Sequence, residues 1–146
     1  MNELLQVIVG ALGSFGFGIL FHIRGKRLLA ATIGGFIAWG LFLLLGFAFE
    51  DEIIRYFIVS LATSLYCEIM ARLLKTPTTT FIMTALVPLI PGSGLYYTMT
   101  NAFSGQSEVF LSRGIKTLSL AVALALGVIV VTVAAETVRK IKIKRN

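Results

Sequence analysis

The chain has 146 residues, of which 57% are hydrophobic and 14% charged, and its mean hydropathy is +0.90. That balance excludes a soluble globular domain and points to an integral membrane protein. The formal net charge of +6 does not indicate nucleic acid, because the basic residues sit at the ends of apolar stretches and in the tail RKIKIKRN, without interleaved aromatics.

In chain order, uncharged stretches run over 4–21, 28–49, 76–107 and 117–135. Each approaches or exceeds the roughly 18 to 20 residues that cross a bilayer. A further apolar run, 53–74, carries Glu68 and Arg72 near its end. The expectation is an all-α integral membrane protein, a single transmembrane domain over 1–146. Its helices fall at about 3–22, 28–49, 53–74, 77–103 and 110–136, the fourth broken at 88–94. Five helices and short connections fill these residues and leave no room among them for a soluble catalytic or nucleotide-binding domain. The first helix does not read as a signal peptide, because Arg24, Lys26 and Arg27 follow its apolar stretch instead of preceding it.

Gly10, Gly13, Ser14, Gly16 and Gly18 in the first helix recur at spacings of three and four, a pattern that permits close helix approach within the chain or in an oligomer. Gly34 and Gly35 do the same in the second helix, where Trp39 lies too deep to be an interfacial anchor. The lone Cys67 excludes an intramolecular disulfide and reads as a buried small residue. Thr76 can cap the fourth helix with Pro77 at its first position. With the N-terminus outside, ten of the thirteen Lys and Arg residues fall in the cytoplasm and the turn Glu50-Asp51-Glu52 falls outside. The positive-inside rule therefore favours N-out, C-in. An odd helix count would make a second such unit in tandem an inverted repeat, as in many secondary transporters.

The segment LVPLIPGSGLYYTM, 86–99, lies near the middle of the fourth span. Pro88 and Pro91 lack amide protons, so the carbonyls of Thr84 and Val87 are expected to lose their partners. In lipid such a break persists only where protein or a watered cavity satisfies it. Gly92, Ser93 and Gly94 can begin a new half-helix, whose first amides form a partial positive charge suited to an anion. Tyr96, Tyr97 and Asn101 continue with polar groups that packing alone does not demand. Pro88, Pro91, Gly92, Ser93, Gly94, Tyr96, Tyr97 and Asn101 are thus the expected substrate-binding set. Glu68 and Arg72 share a helix face and can pair. Glu68, facing the broken helix, is a candidate proton carrier or gate, and His22 a candidate relay. No catalytic set, metal site, organic cofactor motif or nucleic-acid surface is legible.

The run EIMARLLKTPTTTFIMTALVPLIPGSGLYYTM, 68–99, resembles the block of the threonine/serine exporter family in which a helix with Glu and Ala-Arg leads through a Pro-containing turn to P-L-x-P-G and an aromatic. Pro88, Pro91, Gly92 and Tyr96 carry the resemblance, and FGFGILFHIRGKRLLAATIGGFIAWGL is similar to the family's first helix pair. The resemblance implies a chain like the small, carboxy-terminal-half subunit of split members, similar to that of the bacterial succinate exporter. It further implies export of small carboxylate substrates (threonine and serine, or succinate-like dicarboxylates) with a companion membrane subunit, in the bacterial cytoplasmic membrane. The alternatives from the residues alone are a non-transporting assembly or scaffold subunit and, far behind it, an intramembrane hydrolase using Ser93 and His22, for which the Gly-x-Ser-x-Gly elbow is absent.

Overall fold

A computed structural model describes residues 3–144, all helical apart from turns; Arg145 of the basic tail lies outside the described residues. The helices are α1 (Glu3–Leu20), α2 (Lys26–Gly46), α3 (Glu52–Leu73), α4 (Thr78–Ala85), α5 (Gly92–Phe103) and α6 (Ser107–Lys144), with a 3-10 turn at Val87–Leu89 between α4 and α5. Four are long and apolar enough to span a membrane on their own. The pair Thr78–Ala85 and Val87–Phe103, bent by 43°, makes a fifth span if taken as one.

Turn chemistry sets the boundaries. After α1 the His22 N–H donates to the Ile19 carbonyl and the Ile23 N–H to that of Gly18, both at 2.9 Å, which is a Schellman closure with His22 as the left-handed residue at φ 59. Lys75, φ 48, closes α3 in the same way, the Thr76 N–H reaching the Ala71 carbonyl at 3.0 Å. Both positions suit glycine, and a side chain there costs about 1 kcal/mol or more. His22→Gly is accordingly expected to raise the melting temperature in detergent by a few degrees. A lower melting temperature would contradict this account of the turn.

Several boundaries move from their expected positions. The second helix ends at Gly46, not 49, because the Phe47 N–H folds back onto Leu44 and the chain turns toward Asp51, whose Oδ1 accepts the Ile53 N–H at 2.8 Å to cap α3. The Thr76 hydroxyl donates to the Leu74 carbonyl at 2.9 Å, so Pro77 rather than Thr76 is the cap of α4. The last helix extends well past 110–136. No proline interrupts 107–144, and at 1.5 Å per residue its 38 residues reach about 57 Å, beyond a hydrocarbon core of about 30 Å.

Packing divides the bundle into two flanks. On one side α1 lies against α2, α4 and the 3-10 turn; on the other, α6 lies against α3 and α5. One core cluster joins Ala38, Tyr56, Val59, Leu86, Leu89, Leu120 and Ala123, and a second joins Ala30, Ala31, Cys67, Ala71, Phe81 and Ala85. The first part of the break, around Leu89, therefore sits inside protein, while Ile90, Gly92 and Ser93 are exposed. Leu89 is fully buried, and the Val87 carbonyl, expected to be orphaned, accepts the Ile90 N–H at 3.2 Å. The 3-10 geometry recovers that acceptor where an α-helix could not.

Close helix approach depends on absent side chains at a few points. A Cβ on Gly127 of α6 would collide with the Ser60 hydroxyl and lie 2.9 Å from the Phe57 carbonyl of α3; one on Gly35 would overlap Ser14 of α1. The expected small-residue face of α1 is narrower than its glycine count. Ser14 and Gly18 are buried and Gly10 faces Trp39 and Pro88, whereas Gly13 and Gly16 border open space.

Candidate functional site

Helix α5 begins at Gly92 because Pro91 sets the preceding turn and three small residues follow. The Gly92 N–H turns back to the Ile90 carbonyl at 2.7 Å, and the Leu95 N–H reaches that of Pro91 at 3.0 Å. Among the described residues, the N–H groups of Ser93 and Gly94 have no acceptor. Beside them opens a cavity of about 510 Å³, bounded by Phe42 of α2, Glu52 and Tyr56 of α3, Pro91, Ser93, Gly94 and Tyr97, and Arg113, Lys116, Thr117 and Leu120 of α6. It lies at the end of the bundle where α3 and α6 begin. Gly94 lets α5 approach α6, since a Cβ there would stand 2.6 Å from the Thr117 hydroxyl.

The charges in and beside this cavity are unequal. Glu52 is the carboxylate in its wall; Lys116 Nζ lies 2.8 Å from its Oε2, and Arg55 Nη2 is 4.0 Å from its Oε1. Arg55 also stacks over the Phe42 ring at 4.9 Å. Arg113 lies over the Tyr97 ring at 5.2 Å and, among the described residues, has no carboxylate partner. An aromatic face attracts a cation without neutralising it. Two cations thus pair with Glu52, and the Arg113 guanidinium that is left over shares the cavity with the unoccupied amides of a helix start. This arrangement favours a small anion. The Lys116–Glu52 bridge is open to solvent, with side-chain exposures of 64% and 41%, so it contributes no more than about 1 kcal/mol.

The expected binding set divides. Pro91, Ser93, Gly94 and Tyr97 line the cavity. Asn101 lies one turn beyond Tyr97 on α5, and Gly92 is exposed at the helix start. Tyr96 is exposed and packs edge-on against Tyr97, with ring centroids 5.4 Å apart. Pro88 belongs to a separate recess with Gly10 and Trp39, so its role is to break the helix and seat it against α1.

The expected gating set lies elsewhere. Glu68 receives Arg72 at 3.1 Å through Oε1 and the Thr78 hydroxyl at 2.7 Å through Oε2. It thereby joins the end of α3 to the start of α4. Sixteen residues separate it from Glu52, about 24 Å along a helix, and it is not part of the cavity wall. His22 lines a small recess with Ile19, Arg24 and Leu28. Ser93 and His22 share no cavity, which removes the geometric basis for a nucleophile and its base.

Sequence reasoning did not single out Arg113, Lys116, Glu52 or Thr117 as site residues. The available signal was their spacing: 113, 116, 117 and 120 fall at i, i+3, i+4 and i+7, a single face of α6.

A family model described as "Threonine/Serine exporter, ThrE" matches residues 6–134. The chain belongs to the threonine/serine exporter family. Every residue lining the cavity falls within the matched stretch, as do the broken span and the Glu68 brace. The family is one of membrane transporters, in keeping with the apolar helices. No curated protein and no solved structure matches the chain.

Proposed function

We propose that this chain is a membrane subunit of a secondary exporter of small carboxylate metabolites, threonine and serine or succinate-like dicarboxylates, acting with a companion subunit. The observation that carries the reading is the cavity in which, among the described residues, Arg113 holds no carboxylate and the amides of Ser93 and Gly94 have no acceptor. A substrate carboxylate sits there, held by the guanidinium and the start of α5, with Tyr97 in the cavity wall and Asn101 one turn beyond it on the same helix. The break fits a transporter because discontinuous helices place such half-helix starts within the membrane.

In this reading the chain is a multi-pass protein of the bacterial cytoplasmic membrane, N-out and C-in, since ten of thirteen Lys and Arg residues then face the cytoplasm. The cavity opens outward. Glu68, Arg72 and Thr78 form the inner gate, a charged latch between α3 and α4 that must part for substrate to enter, with His22 at the same end. The membrane potential assists a dianion leaving a negative interior by about 2.3 kcal/mol per charge per 100 mV, whereas a zwitterion gains nothing from that field and leaves down its own gradient or by proton exchange.

Efflux of labelled threonine and labelled succinate is the test, from cells expressing this chain with and without the companion. Export of either that requires both chains is the expected result. Absence of export of both substrates with both chains present would contradict the proposal.

A further inference from the structure

We propose that Glu52 is the residue that recognises the ammonium group of an amino-acid substrate, with Lys116 occupying its place while the cavity is empty. This rests on the reading of the cavity as a carboxylate site. Glu52 is the carboxylate in the cavity wall, and its bridge to Lys116 joins α3 to α6 across the opening, at 2.8 Å. Lys116 is an ammonium on a flexible stem, 64% exposed, so a substrate ammonium can displace it and leave it solvated. Arg113 stands three residues before Lys116 on α6, about 4.5 Å along the axis. Arg113 and Lys116 thus present their side chains within one turn of α6 to the cavity that Glu52 also lines, so the two charges of an amino acid can meet Arg113 and Glu52 in one cavity. Arg55, 4.0 Å from the other carboxylate oxygen and largely buried, keeps Glu52 aimed at the opening when Lys116 withdraws. A dicarboxylate meets the opposite situation: its second charge is repelled by Glu52 and attracted by Lys116. Glu52 thus selects zwitterions over dianions.

The test uses the full chain together with its companion subunit in nanodiscs of phosphatidylcholine and phosphatidylglycerol, with L-threonine and 3-hydroxybutanoate as probes, the second being the same skeleton without the ammonium. The wild type is expected to prefer threonine at least tenfold. Glu52→Gln should bring the two affinities within twofold of each other, mainly by weakening threonine. Lys116→Met breaks the same bridge but keeps the carboxylate, and should strengthen threonine several-fold. Equal weakening of threonine by both variants would make the bridge purely structural and overturn the inference, as would a wild type with no preference. Arg113→Gln is expected to weaken both probes alike. If it alters neither, the carboxylate site itself is wrong, and a wild type that binds neither probe overturns both readings.

Discussion

Gly127→Leu is expected to leave the chain unable to assemble its helix bundle, with loss of the monodisperse species in detergent and no cooperative melting. At this point α6 and α3 are in backbone contact. A Cβ on Gly127 would run into the Ser60 hydroxyl, which can rotate, and would lie 2.9 Å from the Phe57 carbonyl, which cannot. Overpacking a close contact ordinarily costs about 1–3 kcal/mol, and a rigid backbone neighbour puts the leucine variant at or above the top of that range. Gly127→Ala places the same Cβ against the same carbonyl and should still destabilise measurably. Gly16→Ala is the matched control, because a Cβ there meets nothing within 4 Å. Equal melting of the Gly127→Ala and Gly16→Ala chains would show that α3 and α6 are not in this register.

The second large effect is expected at Arg113. Arg113→Gln should reduce export of a carboxylate substrate at least tenfold while the protein inserts and melts normally. The guanidinium is exposed and, among the described residues, holds no carboxylate; it lies over the Tyr97 ring. Its loss therefore removes little folding energy, but it removes a charge-assisted donor that stands beside the amides of Ser93 and Gly94. A charge-assisted hydrogen bond is worth roughly 1.5–3 kcal/mol, which corresponds to about one to two powers of ten in binding. Arg113→Lys should recover only part of the loss, because an ammonium does not present the planar fork that engages a carboxylate on both oxygens. Unchanged export by Arg113→Gln would leave the cavity without its recognition element.

The elements that could be read before the structure were those governed by local rules. Hydropathy located the spans, and Pro88 and Pro91 located the break. Gly92-Ser93-Gly94 located the start of the half-helix, because each of these depends on the backbone of its own segment. What local rules do not carry is which faces meet. Glu68 was expected to face the broken helix; its carboxylate meets that helix at Thr78, at the start of α4, while also holding Arg72, and not at the break. Arg113 and Lys116 were counted as positive charges at a helix end. Their function as a wall emerges only when Gly94 allows α5 to rest on Thr117 and brings Tyr97 beneath Arg113. The orphan carbonyl expected at Val87 is recovered by a 3-10 bond, an outcome that depends on how Leu86 and Leu89 are packed rather than on the prolines themselves.

Labelling of a Ser93→Cys chain in intact cells by a membrane-impermeant thiol reagent, with and without threonine or succinate, tests most directly whether a carboxylate substrate sits at the start of α5. Cys67 is fully buried and stays silent as a background thiol. The expected result is labelling from outside that slows several-fold when substrate is present, and no such protection once Arg113→Gln is added. Labelling that proceeds at one rate with and without substrate, in the presence of normal export, would place the carboxylate elsewhere and contradict the account.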